Sequence, residues 1–328
     1  ASDPDIDVVG TAPDPYVARD KIKALNPDVV TLDIEMPRMD GLTFLSNLMR
    51  LRPTPVVMIS TLTQKGAKTS LEALHIGAVD YVSKPQSDVI NNLEEYAAEI
   101  VEKVKVAAEA NLAALTRRDP MGRKADGGAA VAPLRIGSAA RQVIAIGAST
   151  GGTEAIAAVL AALPENSPPV LVAQHIPEMF SRSFSERVDK LSLLRVREAA
   201  NGEPVEPGNC YVAPGNYHLS LARSGSGYTC VLDQKERVNR HRPSVEVLFE
   251  SVARAAAARS VGVMLTGMGS DGARGMKAMR DAGARTLAQD KASSVVWGMP
   301  GSAVEIGAVE KVVPLERMAE EIIALVTA

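Results

Sequence analysis

Cysteine, histidine, aromatic side chains and any excess of one charge are all in short supply in this chain. Its 328 residues include two cysteines, four histidines and one tryptophan, and 3% are aromatic. The two cysteines, Cys210 in "NCYVAP" and Cys230 in "YTCVLD", do not make a disulfide framework; both stretches read as strands, where a buried thiol acts as a small apolar residue. With 36 Lys and Arg against 39 Asp and Glu, there is no broad cationic field of the kind that holds phosphate backbones, so nucleic acid is not an expected partner. No apolar run is long enough to span a bilayer, and the opening "ASDPDIDVVG" is acidic without an apolar signal core. A soluble, cytoplasmic protein without membrane insertion is expected.

What the chain does have is alternation. At this length two domains are expected, each able to bury a core. From residue 5 to about 115, strand-like runs ("DIDVVGTA", "DVVTLDIEM", "TPVVMIS", "VDYVSKP") alternate with helical patterns ("VARDKIKAL", "LTFLSNLMRL", "AKTSLEALHIG"). That order predicts a parallel sheet covered by helices. "SDVINNLEEYAAEIVEKVKVAAEANLAAL" keeps helical periodicity and predicts one long closing helix. Residues 116–139, rich in Gly, Ala, Arg and Pro and without periodicity, read as a linker. From residue 140 to 328 a second series begins, with "QVIAIGA", "PVLVAQH" and "SVGVMLTG" as apolar strands and helices starting near Gly152, Phe180 and Gly272. Its middle, "GNCYVAPGNYHLSLARSGSGYTCVLDQ", predicts a β-meander inserted into a parallel α/β domain.

The chemistry of the second half starts at "VIAIGASTGGTEAI", residues 143–156. "GASTG" satisfies G-x-S-x-G, follows a strand and opens a helix, the context that lifts a serine onto a tight turn. Taken alone, Ser149 is equally a helix cap, or its glycines an approach for phosphate. A nucleophilic serine needs a base. His75 lies in a helical pattern, His241 is flanked by Arg240 and Arg242, whose charges oppose an imidazolium, and His218 in the meander reads as structural. His175 follows "PVLVAQ" at a strand end, as Ser149 follows its own. Asp271, after "VGVMLTGMGS", is a third strand-end residue, read either as a cap for the helix that follows or as the carboxylate that orients the base. In open α/β sheets such ends gather in one crevice. The glycines of "TGMGSDG" leave backbone donors free, which makes the Met268 amide a candidate oxyanion donor. The order Ser, His, Asp is not that of the α/β-hydrolases. A nucleotide-binding output module is a competing reading, although the glycine spacing fits neither phosphate-loop pattern; a non-enzymatic adaptor would leave the three converging residues without a role.

Six separated blocks, "IGASTGG", "QHIP" before "MF", "YVAPG" before a His, "HRPSV" before "LF", "MLTGMGSDGA" and "GMP", together resemble the catalytic domain of the chemotaxis receptor methylesterases, the CheB family. The resemblance implies hydrolysis of γ-glutamyl methyl esters on the cytoplasmic helices of chemoreceptors, and in some members deamidation of receptor glutamines. It implies Ser149 as nucleophile, His175 as base, Asp271 as its partner and the Met268 amide as oxyanion donor, with no cofactor for catalysis.

In the first half, "VVTLDIEMPRMDG" places Asp33 at the end of an apolar strand; Ser60 ends "PVVMIS", and "YVSKP" offers Lys84 before Pro85. Each has a plain alternative: a cap, a turn, a solvated lysine. Together they resemble the receiver domain of response regulators. That likeness implies Asp33 as acceptor of a phosphoryl group from a chemotaxis histidine kinase and as a ligand of Mg²⁺. It implies Ser60 and Lys84 contacting the phosphoryl group, Tyr81 as the switching aromatic, and a cis bond between Lys84 and Pro85. The overall expectation is α/β, with two doubly wound parallel sheets: a flavodoxin-like receiver and a methylesterase domain with its meander. The receiver is expected to lack its first strand and helix, and with them the acidic pair that completes a metal site.

Overall fold

The computed structural model describes residues 3–61, 63–84, 89–116 and 142–327. The chain divides into two compact units, residues 1–122 and 123–328. The expected linker, apart from its first residue, and the Lys84–Pro85 bond lie outside the described residues. Among those residues no helix is long and apolar enough to cross a membrane.

In the first unit the elements are α1 (Pro15–Leu25), β1 (Val30–Asp33), α2 (Gly41–Leu51), β2 (Val56–Thr61), α3 (Gln64–Ile76), β3 (Asp80–Lys84), α4 (Val89–Ala108) and α5 (Leu112–Thr116). Three strands pair in parallel in the order β1-β2-β3, with Leu32 opposite Met58 and Met58 opposite Tyr81. Side chains start the helices. Asp14 accepts from the amides of Tyr16 and Val17, Asp40 from Thr43 and Thr63 from Gly66, each satisfying a donor that the first helical turn leaves open.

Two expectations fail here for local reasons. The run "DIDVVGTA" is irregular over residues 6–12, and Val8 and Val9 are 59% and 50% exposed. No described strand pairs with it, and β-branched residues make a strand only against a partner ladder. The single closing helix is two. The chain tightens where the amides of Glu109 and Ala110 reach back to Val106 and Ala107, and Asn111 then accepts from Ala114 N–H at 3.2 Å to begin α5.

The second unit is built from β4 (Val143–Ala148), α6 (Gly152–Ala161), β5 (Val170–Gln174), α7 (Glu178–Asp189), β6 (Arg195–Glu198), β7 (Asn209–Val212), β8 (His218–Ser224), β9 (Gly227–Asp233), α8 (Val245–Ala255), β10 (Ser260–Met264), α9 (Ala273–Asp281), β11 (Arg285–Gln289), α10 (Met299–Glu305), β12 (Lys311–Val313) and α11 (Leu315–Thr327). Seven strands form one parallel sheet in the order β12-β11-β10-β4-β5-β7-β6. Every residue of β4, β5 and β10 is buried, as expected for central strands covered on both faces. From β4 the chain winds outward through β5 to β7 and β6, then returns to β10 on the other side of β4, which makes the end of β4 the point where the winding reverses.

The meander is smaller than expected. "NCYV" belongs to β7 and pairs in parallel with β5, Cys210 opposite Val170, so only β8 and β9 form an antiparallel hairpin. Composition marked all three segments as strands but could not say which edge each would join. Both cysteines are buried, and burial pushes their thiols up, that of Cys230 to about 12.

Candidate active site

Ser149, His175 and Asp271 arrive on the loops that follow β4, β5 and β10, three neighbouring strands, and their side chains meet. Ser149 leaves β4 in a turn whose Gly151 has φ +75, and a Cβ there would lie 2.7 Å from a Val295 methyl. The Ser149 amide donates to Thr266 O at 3.0 Å, tying the turn to the segment after β10. Gln174, the last residue of β5, donates from Nε2 to the carbonyls of both Ser149 (2.9 Å) and His175 (3.0 Å), so one buried amide holds the two loops in register.

His175 Nδ1 stands 3.0 Å from Ser149 Oγ, and His175 Nε2 stands 2.8 Å from Asp271 Oδ2. The Asp271 carboxylate also accepts from Asn239 Nδ2 at 2.7 Å, Ser244 Oγ at 2.8 Å and Val245 N–H at 2.6 Å. So many donors require the ionised form. Burial alone would raise this carboxyl, but the hydrogen bond and charge of His175, with the bonds from Asn239 and Ser244, more than offset it and hold the pKa at about 2. An ionised Asp271 fixes the proton on Nε2 and leaves the Nδ1 lone pair facing the serine hydroxyl. The arrangement can therefore take a proton from Ser149 and stabilise the resulting imidazolium.

The loop after β10 supplies the remaining feature. A Cβ on Gly267 would lie 2.8 Å from Ser149 Cβ and 2.4 Å from Met299 Sδ, so only glycine allows this backbone to pack against the serine. Met268 follows directly, and its amide has no hydrogen-bond acceptor among the described residues.

The expected cap for the helix after Asp271 is not there. Asp271 instead accepts from the first amides of α8, while Glu246 of α8 accepts from Gly272 N–H at 2.9 Å at the start of α9. His218 is structural: Nε2 donates to Glu236 O at 3.0 Å and Nδ1 accepts from Ser244 N–H at 3.3 Å. His241 was set aside for its arginine neighbours, yet its ring stacks on His175, centroids 3.6 Å apart and planes at 12°. Arg242 turns away to Asn216 Oδ1 and the carbonyls of Gln234 and Lys235. Gln174, Asn239, His241 and Ser244 are the residues that sequence reasoning missed. Gln174 is adjacent to His175, and His241 and Ser244 lie in "HRPSV", so proximity to a quoted block was the available signal.

In the first unit, Asp33 lies at the end of β1 and its Oδ2 pairs with Lys84 Nζ from β3. A cleft of about 570 Å³ opens there, lined by Asp33, Glu35, Asp40, Thr61, Thr63 and neighbouring residues. Lys84, Ser60 and Tyr81 are not in that lining. The Ser60 hydroxyl is buried and donates to the carbonyls of Gly66 (3.3 Å) and Thr61 (3.4 Å). Tyr81 is buried under Lys103, whose ammonium sits 5.0 Å from the ring centre. Among the described residues no group of three or more His, Cys, Asp or Glu side chains is placed to hold a metal ion.

A family model described as CheB methylesterase matches residues 144–322, and one described as response regulator receiver domain matches residues 2–94. The expectation of a receiver lacking its first strand and helix is not borne out: the receiver family model matches residues 2–94. A protein-glutamate methylesterase/protein-glutamine glutaminase of Xanthomonas campestris is 56% identical over 328 residues, 98% of this chain and 91% of that protein. One of Nitrosomonas europaea is 54% identical, covering 98% of this chain and 89% of its own. The crystal structure of the Thermotoga maritima CheB methylesterase catalytic domain is similar at 37% identity and a TM-score of 0.55, over 56% of this chain and 98% of that one. With its three strand-end side chains joined and a receiver ahead of them, the chain belongs to the CheB methylesterase family.

Proposed function

We propose that this CheB-family methylesterase hydrolyses glutamate γ-methyl esters, and deamidates glutamines, on the cytoplasmic helices of chemoreceptors. The observation that carries the reading is the continuous chain Ser149 Oγ, His175 Nδ1, His175 Nε2, Asp271 Oδ2 at 3.0 and 2.8 Å. Ser149 Oγ bonds to the ester carbon as its proton passes to His175 Nδ1. The carbonyl oxygen becomes an oxyanion that accepts from the Met268 amide. When the C–O bond breaks, the methoxy group takes the proton back from His175 and leaves as methanol; from glutamine the leaving group is ammonia. Water attacks the acyl-serine by the same route, releasing the glutamate carboxylate and restoring Ser149. These side chains suffice for the acyl transfer, which needs no cofactor.

Residues 1–115 act as the receiver, 116–139 as linker and 140–328 as the catalytic domain of a cytoplasmic protein. Asp33 takes a phosphoryl group from the chemotaxis histidine kinase, with Lys84 beside that group, Ser60 reaching it once its hydroxyl turns from the Gly66 and Thr61 carbonyls, and Tyr81 as switch. The Asp33–Lys84 pair and the cleft beside it support this reading. Family resemblance adds Mg²⁺ to the phosphorylation. The described residues do not complete its site: a hard divalent cation takes six or more oxygen ligands, and the one carboxylate assigned to it is paired with an ammonium.

The test is methanol release from methylated receptor membranes incubated with the full chain, with Ser149→Ala alongside. No release by the native chain overturns the assignment.

A further inference from the structure

A second imidazole, outside the Ser149–His175–Asp271 chain, lies in the site. His175 and His241 lie face to face, 3.6 Å between centroids and 12° from parallel. His241 is delivered by a two-residue turn closed by reciprocal bonds, Val238 N–H to His241 O at 3.1 Å and His241 N–H to Val238 O at 2.9 Å. Both central residues are left-handed, Asn239 at φ 51 and Arg240 at φ 69, a conformation that ordinary residues enter rarely and that recurs at functional sites. The same turn sends Asn239 Nδ2 to Asp271 Oδ1 at 2.7 Å. One short strained turn thus touches two members of the triad. Among the described residues neither ring nitrogen of His241 has a hydrogen-bond partner, so what it offers His175 is its face.

We propose that His241 is a positioning residue for the base: its ring face holds the His175 imidazole in the line from Ser149 to Asp271 and packs against the imidazolium formed when the serine proton arrives. The inference rests on the triad reading. A neutral aromatic face attracts a cation lying against it, whereas a second imidazolium would repel it. Burial first, then the charge of His175, then Arg240 and Arg237, oppose the pull of Asp271 and hold the His241 pKa at about 3, so the ring is neutral above that pH. Burial, which counts against His241 as a base, is what suits it to this role, with Arg240 adding to it in the same sense.

The experiment uses the full chain and an alkyl fluorophosphonate, following labelling rate against reagent concentration to separate kinact from KI. The variants are His241→Leu, which keeps an apolar group of similar size without a π face, His241→Phe, which keeps the face without nitrogens, and Ser149→Ala. Rates are normalised to folded protein by the fluorescence of Trp297, the single tryptophan. The expected result is a fall of about tenfold in kinact for Leu with KI within about twofold of native, and recovery of most of that loss by Phe. Labelling of Ser149→Ala would remove the triad reading itself. If that variant is silent while His241→Leu labels at the native rate, or His241→Phe is as slow as His241→Leu, the triad stands and the stacking role is overturned.

Discussion

The Asp271 carboxylate sits 2.6 Å from the Val245 amide, so the group that orients the His175 imidazole also closes the first turn of α8. Glu246 answers from the same turn by accepting from Gly272 N–H, which couples the starts of α8 and α9. Orientation of His175 and capping of a helix are joined in one carboxylate here. Asp271→Asn should therefore lower ester hydrolysis by about 10⁴-fold, because the amide permits the wrong tautomer of His175. Asp271→Ala should in addition cost about 1–3 kcal/mol of stability by leaving buried donors unpaired. Kinetics and Trp297 melts on the two variants check this; an Ala variant as stable as the native chain would contradict the capping role.

Ser149→Ala deletes one hydroxyl from a partly exposed turn whose backbone is held by Thr266 and Gln174. Methyl ester hydrolysis should fall by about 10⁴ to 10⁶ with the circular dichroism spectrum unchanged. Substantial residual turnover in a folded variant would reject Ser149 as nucleophile.

The buried histidines should separate by what they lose. His175→Ala should abolish fluorophosphonate labelling. His218→Ala removes a ring bonded at both nitrogens to backbone groups and should cost about 1–3 kcal/mol of stability while labelling per folded molecule persists. A denaturant titration read beside labelling stoichiometry distinguishes them, and equal loss of labelling in both would show that the wrong histidine had been chosen.

Acid should weaken the second unit well above the range in which carboxylates titrate. His241 stays neutral in the folded protein down to about pH 3, whereas an unfolded histidine protonates near its ordinary value of 6.5. Between those values the unfolded chain binds a proton that the folded chain does not, so stability is full above about pH 6.5 and falls as pH drops, by at most ~1.4 kcal/mol per pH unit for one proton. Asp271 acts in the same sense only lower down: its folded pKa of about 2 lies below the ordinary 3.8, and its contribution is lost as pH falls from about 4 through 2. Urea unfolding followed by Trp297 at several values between about pH 7 and 4 should show the slope, flattened in His241→Phe. A slope of the same size in that variant would assign it elsewhere.

For the receiver, Asp33→Asn should abolish incorporation of radiolabelled phosphate from an acyl phosphate donor, whereas Asp40→Asn, whose carboxylate caps α2 through Thr43, should retain it. Label surviving in Asp33→Asn would move the acceptor to another residue.

Much of this was present in the order of residues along the chain. Apolar runs such as "VIAIGA" and "SVGVM" declare buried parallel strands, and a parallel sheet brings the ends of neighbouring strands to one edge; the convergence of Ser149, His175 and Asp271 follows from chain order alone. Helix starts near Gly152 and Gly272 were legible for the same local reason. What the sequence could not contain is partnership. "DIDVVGTA" has strand composition but no ladder to join among the described residues, and "NCYV" joined the parallel sheet rather than the hairpin it precedes. Arg240 and Arg242 flank His241 in sequence, yet the turn stacks His241 on His175 and sends Arg242 to Asn216. Whether Asp271 caps its own helix or another was set only when α8 packed beside α9, and which imidazole nitrogen faces the serine was set by the Asp271–His175 bond. Propensity and spacing are properties of neighbours in the chain, whereas a carboxylate's donors and a ring's stacking partner come from segments tens of residues away.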